Sequence, residues 1–264
     1  MHAVGKAAPA EARAADGVVL FEQGEHRWVW LGADEDEDEG VSANQFLVQH
    51  GGRGCLLDPG SVLDFARTVA NLSRYAQPSE LDYLFFSHQD PDVSSAIPMW
   101  AGITTARLVM PRVWTRFLPH FGEYDQKRML EIPDAGGRFT LAGAPLEVVP
   151  AHFLHSTGNI LLYDPTARFL FTGDIGASVM PHGKETLYVE DFERHRPYLE
   201  GFHRRYMASN VACRDFVRRV SRLSIDAIVP QHGAIFRGPQ VGHFLSWLEG
   251  LRCGVDLLGE MYGA

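Results

Sequence analysis

The segment Ser87-His88-Gln89-Asp90-Pro91-Asp92-Val93 sets one imidazole and two carboxylates at alternating positions. Side chains two apart in an extended or turning backbone can converge on one point. Imidazole and carboxylate together suit a divalent metal of intermediate hardness. The segment follows an apolar run, Tyr83-Leu84-Phe85-Phe86, and three other apolar runs end in the same way, at His155, at Asp174 and at His232. Each candidate is flanked by Gly, Pro or Ser. A lone histidine behind a strand says little. Four strand ends that all carry His or Asp point to a metal site, because loops leaving one edge of a sheet are where a rigid scaffold carries its chemistry.

The elements that must position these residues follow from apolar periodicity. Residues 18–22 and 26–31 form a hairpin around Gln23-Gly24-Glu25, and 44–49 and 54–58 are the next two strands, joined at Gly51-Gly52. Residues 61–75 repeat Val62, Phe65, Val69 and Leu72 on one helical face. The run 81–86 is almost wholly apolar, as a strand buried on both faces should be. A short helix is expected over 93–100, a strand over 108–110 and a short helix over 113–117. Strands follow at 139–141 and 146–149, then a hairpin from 160–163 and 168–172. Two helices occupy 189–223, the second rich in arginine, followed by a buried strand over 225–230 and an amphipathic helix over 240–251. Strands precede helices in each half, so the expected architecture is α/β, a four-layer αββα sandwich in one domain spanning 17–264, with 1–16 as a flexible tail.

Composition narrows the function. With 264 residues and 45% hydrophobic content a sizeable core can form, and a net charge of −9 argues against a nucleic-acid partner held through phosphates. The three cysteines, Cys55, Cys213 and Cys253, are sparse and lack a CxxC, so reduced thiols packed as small hydrophobes in a cytoplasmic protein are expected. No signal peptide and no stretch long enough to span a membrane is read. The acidic run Asp34-Glu35-Asp36-Glu37-Asp38-Glu39 reads as a solvated loop, since it has no central glycine for a calcium-loop turn.

The motifs taken together, HxDxD, then HxxGN, GD and HG, resemble the metallo-β-lactamase superfamily. They are closer to its flavodiiron branch and the stand-alone oxygen-binding diiron proteins. Ser87 to Asp92 resembles the branch's HxExD motif. Phe153-Leu154-His155-Ser156-Thr157-Gly158-Asn159 resembles its FLHSPGN-like segment, Leu170 to Ala177 its bridging-carboxylate segment, and Val229-Pro230-Gln231-His232-Gly233 its last histidine. The resemblance implies two iron ions, the first held by His88, Asp90 and His155, the second by Asp92 and His232, with Asp174 bridging. Hydrolytic members of the superfamily carry histidine where this chain has Asp90 and Val93. A carboxylate at 90 hardens the site toward iron or manganese rather than zinc. Asp90 also departs from the branch's commoner Glu and is one methylene shorter.

The function so implied is a non-haem diiron protein that binds or reduces O2 or NO. It would act as an oxygen sensor, or as a reductase fed by an external electron-transfer partner, since no flavodoxin-type phosphate loop is present and no bound flavin is expected. A dinuclear zinc or manganese metallohydrolase acting on an ester, thioester, lactone or phosphodiester is the alternative, and an interaction module that kept only the fold is a third. A homodimer is open by family analogy. Among weaker candidates, Asp58 in Leu57-Asp58-Pro59-Gly60 could orient a ligand histidine, and His152 reads as a strand-end histidine. Trp100 and Tyr124 read as core, and Ser178, His182 and His203 as surface or packing residues.

Overall fold

The computed structural model describes residues 17–33, 42–181 and 183–263. The expected tail (1–16), the acidic run 34–39 and His182 lie outside the described residues. One sheet runs in chain order through β1 (Val18–Gln23), β2 (His26–Trp30), β3 (Phe46–His50), β4 (Arg53–Leu57), β5 (Leu81–Phe85), β6 (Arg107–Pro111) and β7 (Met129–Ile132). Its first four strands form an antiparallel meander, and β4 to β7 run parallel. The second sheet comprises β8 (Gly137–Leu141), β9 (Ala144–Pro150), β10 (Ile160–Asp164), β11 (Phe169–Phe171), β12 (Ala227–Val229) and β13 (Phe236–Arg237), ordered β13-β12-β11-β10-β9-β8. Within it only β11 and β12 pair in parallel.

The side-chain alternation of the strands sorts residues into three apolar layers. Cys55, Leu57, Phe85 and Val109 of the first sheet meet Leu162, Phe171 and Val229 of the second in the inter-sheet core. Their neighbours Leu56, Leu84, Phe86 and Leu108 turn outward beneath α1 (Phe65–Leu72), α2 (Pro91–Ser94) and α3 (Ile97–Ile103). Leu161, Tyr163, Leu170 and Ile228 turn outward beneath α4 (Phe192–Tyr206), α5 (Asn210–Val220) and α6 (Pro239–Gly250). The near-continuous apolar runs of β5 and β10 therefore have a cause: both of their faces are covered. Each fully buried Leu or Phe contributes roughly 1.5–3 kcal/mol. This is the αββα sandwich expected from the sequence. One buried polar cluster ties the sheets: Asp164 at the end of β10 accepts from Trp28 Nε1 at 2.5 Å and lies 2.6 Å from His26 Nε2.

Two local expectations are corrected. The helix expected over 61–75 starts only at Phe65, because the Asp64 carboxylate takes the Ser61 N–H (3.0 Å) and hydroxyl (2.7 Å) and closes a turn there. The helix expected over 113–117 is replaced by 3₁₀ turns at Arg112–Trp114 and Leu118–Phe121. Two short strands, β7 and β13, had no clear periodicity in so few residues and form because a neighbour supplies the ladder. The three cysteines are free and buried, with the Cys213 and Cys253 sulfurs 3.7 Å apart.

Candidate metal centre

The loops that leave β4, β5, β9, β11 and β12 at their C-terminal ends meet along one edge of the sandwich. Backbone hydrogen bonds stitch them together: Ile160 N to Ser87 O at 2.9 Å, Thr172 N to Val229 O at 3.1 Å and Gln231 N to Gly173 O at 2.8 Å. Gly173 is required at its place. Its φ is +53°, and a Cβ there would lie 2.7 Å from Ser87 Oγ.

All six residues singled out in the sequence are brought together. His88, Asp90 and His155 present ligand atoms within 4.8 Å of one another. Asp90 Oδ2 lies 3.7 Å from His88 Nε2 and 3.5 Å from His155 Nε2. Asp174 divides its carboxylate. Oδ2 lies 2.7 Å from His155 Nε2 and 3.8 Å from His88 Nε2, whereas Oδ1 lies 3.5 Å from His232 Nε2. Asp92 Oδ2 in turn is 3.1 Å from His232 Nε2. The arrangement is two adjoining clusters that share one carboxylate. His88, Asp174 and His232 form the buried floor, while Asp90, Asp92 and His155 are only partly covered and form the mouth.

The donor set fits metal ions. His88 Nε2 and Asp174 Oδ1 are buried and have no hydrogen-bond partner among the described residues. Such orphaned groups cost free energy unless something else satisfies them. Both floor histidines also have their other ring nitrogen engaged. Ser87 Oγ donates to Asp58 Oδ2 at 2.6 Å, so the His88 Nδ1–H, 2.8 Å away, donates to that hydroxyl. His232 Nδ1 donates to the Ser42 carbonyl at 2.8 Å. Each arrangement places the neutral ring's proton on Nδ1 and leaves the Nε2 lone pair facing the cluster. Asp58 thus orients a candidate ligand, as the sequence allowed, but through Ser87 rather than directly. Val93 of α2, where the resemblance puts a histidine in hydrolytic members, packs into the outer apolar layer.

The electrostatics are those of buried histidines interleaved with carboxylates. Burial disfavours the charged form of His88, yet Asp174, Asp90 and Asp58 outweigh it and push its pKa up to about 9. Burial is likewise overcome at His232 by Asp92 and Asp174, and its pKa also stands at about 9. Asp174 is buried too, but His88, His155 and His232 hold its carboxyl well below the usual range. Asp58 is the exception. Burial dominates the His88 and Ser87 contributions, and its pKa rises to about 7.

Several supporting residues were not legible in the sequence. His203 is neither a surface nor a simple packing residue. It is fully buried, donates from Nδ1 to Leu199 O (2.9 Å) and accepts the Gly176 N–H on Nε2 (2.9 Å), fixing the turn that carries Asp174. Ser178 accepts the Ala234 N–H on Oγ and donates its own N–H to His232 O, joining the Asp174 and His232 loops. Phe202 and Tyr206 of α4 stack on each other at 4.7 Å and lie 6.0 and 5.9 Å from the His155 ring. Their i,i+4 spacing was the available signal. His152 lies apart, its Nε2 bonded to Asp134 O, and Trp100 and Tyr124 belong to the outer layer.

A profile described as ODP family beta lactamase matches residues 41–233. The chain is 47% identical to the chemotaxis sensor ODP solved as a peroxy diiron species, with a TM-score of 0.84 over 93% of this chain and 99% of that one. It is 46% identical to the apo state of chemotaxis sensor ODP from T. denticola, with a TM-score of 0.82 and the same coverage. Among curated proteins it is 29% identical over 224 residues to the putative diflavin flavoprotein A 1 of Thermosynechococcus vestitus, a match covering 81% of this chain and 37% of that protein. The chain spans half or less of the length of the curated relatives it matches. Among the described residues no helix is long and apolar enough to cross a membrane.

Proposed function

The chain belongs to the ODP family of beta lactamases, and we propose on that premise that it is a non-haem diiron protein that binds O2 or NO and serves as a sensor of it. The observation that carries this reading is the divided carboxylate of Asp174, one oxygen turned to His88 and His155 and the other to His232. His88, Asp90 and His155 would hold one iron, Asp92 and His232 the other, and Asp174 would bridge. The iron pair would supply the redox-active positions at which a diatomic ligand is captured. Identity of 47% over 99% of a chemotaxis sensor's length supports sensing over turnover.

The chain's own residues prepare this site. Asp58 and Ser87 hold the His88 ring with its Nε2 inward, and the Ser42 carbonyl does the same for His232. His203 holds the Asp174 turn from behind. Phe202 and Tyr206 set their aromatic rings beside His155. The three carboxylates favour a hard, oxidisable metal over zinc.

The test is reconstitution with ferrous iron under anaerobic conditions, followed by metal analysis and a visible spectrum before and after one equivalent of O2. Two irons per chain and a stoichiometric spectral change without turnover of added reductant are expected. Stoichiometric zinc with no iron uptake would refute the diiron reading. Sustained O2 consumption with a chemical electron donor would replace the sensor with a reductase.

A further inference from the structure

Gln89 lies between His88 and Asp90 in the chain, and its side chain crosses from one loop to another. Its Nε2 donates to Asp90 Oδ1 at 2.8 Å, and its Oε1 accepts from Ser156 Oγ at 2.7 Å. Ser156 directly follows His155. Gln89 therefore clasps the loop after β5 to the loop after β9, the two arms that bring Asp90 and His155 to the same cluster. The clasp is also selective between the two oxygens of Asp90. Oδ1 is the one bonded to Gln89, while Oδ2 is the one that faces His88 and His155, at 3.7 and 3.5 Å. The backbone around it is anchored as well, since Ser94 Oγ donates to the carbonyls of Gln89 and Asp90. Gln231 has no such selectivity, because its amide donates to Asp92 Oδ2, the same oxygen that faces His232.

We infer that Gln89, held by Ser156, is a positioning residue that makes Asp90 a one-oxygen ligand and so sets the affinity of the His88–Asp90–His155 subsite for its metal. The inference rests on the diiron reading above. A free carboxylate can turn both oxygens to a cation, whereas one whose second oxygen is held on a charge-assisted hydrogen bond is turned to bind through the other. Hydrogen bonds of this kind to metal ligands typically tune metal affinity by about 10–100-fold. A short Asp side chain in this position gains from being held, since it has one fewer methylene with which to find the metal by itself.

The test uses the full chain, loaded with ferrous iron, and compares it with Gln89→Leu and Ser156→Ala. Iron affinity is read by competition with a chromophoric chelator. The binding mode of Asp90 is read by infrared spectroscopy of protein carrying ¹³C-aspartate, where one-oxygen coordination gives a wide separation of the two carboxylate stretches and two-oxygen coordination a narrow one. The unaltered protein should take up two irons. In Gln89→Leu one of the two should bind about tenfold or more weakly, with a band pair moving toward the narrow separation, and Ser156→Ala should shift both readings in the same direction by less. Unfolding of the metal-free variants by urea checks that the fold is intact. If Gln89→Leu binds two irons with an unchanged competition curve and an unchanged carboxylate separation, the inference is wrong while the diiron reading stands. If the unaltered protein takes up no iron, the diiron reading fails and this inference falls with it. A Gln89→Leu protein that does not fold leaves Ser156→Ala to decide, and no change in either reading there overturns the inference.

Discussion

Protonating His203 should destabilise the fold by an amount that the structure sets. The ring is fully buried, its Nδ1–H is committed to Leu199 O, and its Nε2 receives the Gly176 N–H. A proton added to Nε2 would meet another N–H, and burial drives the pKa down from 6.5 to about 4. The direction follows by linkage. Above pH 6.5 the ring is neutral whether the chain is folded or not, so its contribution is fully present. As pH falls below 6.5 the unfolded chain takes up a proton that the folded one refuses, and stability is lost until about pH 4. At about 1.4 kcal/mol per pH unit the whole window amounts to about 3 kcal/mol, of which about 2 kcal/mol is gone by about pH 5. The perturbation is His203→Leu, which removes the titration and also leaves the buried Gly176 N–H unpaired, at a cost of about 1–3 kcal/mol. Urea unfolding of chelator-treated protein at pH 8 and pH 5 is the assay. The unaltered protein should exceed the variant at pH 8, and the gap should shrink by about 2 kcal/mol at about pH 5. His195, also held near 4 by burial, is present in both proteins and cancels in the difference. A gap of the same size at both pH values would refute the argument that His203 is kept neutral by its surroundings.

Loading the site at neutral pH should release close to two protons from His88 and His232, whose pKa values stand at about 9, because a metal needs their Nε2 lone pairs. Affinity should then climb with pH up to that value, and calorimetry in buffers of different ionisation enthalpy measures the release. Gly173→Ala forces an alanine to φ +53° against Ser87; a loss of at least about 1 kcal/mol in thermal unfolding is expected, together with weaker metal binding, and an unchanged melting curve would contradict the close approach. Asp58→Asn should interrupt the relay through Ser87 to His88 Nδ1 and weaken metal binding by about 10–100-fold in a chelator competition, and equal affinity would show that the relay does not orient the ring.

Much of this protein is legible locally. The runs at 81–86 and 225–230 read as buried strands, so each must lie between two layers, and the order of strands and helices yields the αββα sandwich. His88, Asp90, Asp92, His155, Asp174 and His232 each stand just past an apolar run, so a shared sheet edge already placed them in one region. Local patterns failed where a few residues borrow structure from a neighbour, as in β7 and β13, or where a side chain captures the backbone, as Asp64 does at Ser61.

The chain alone therefore determined the layered architecture and pointed to the candidate donors, because both depend on the spacing of apolar and ligating residues along the backbone. Only the tertiary structure decided how the donors are held. The hold of Asp58 on Ser87 behind His88, the carbonyl of Ser42 behind His232, the division of Asp174 between two clusters, the clasp from Gln89 to Ser156 and the support of Gly176 by His203 all join residues from different loops or elements. Hydrogen bonds act over about 3 Å, and which groups come within that distance is settled by packing, not by order in the chain.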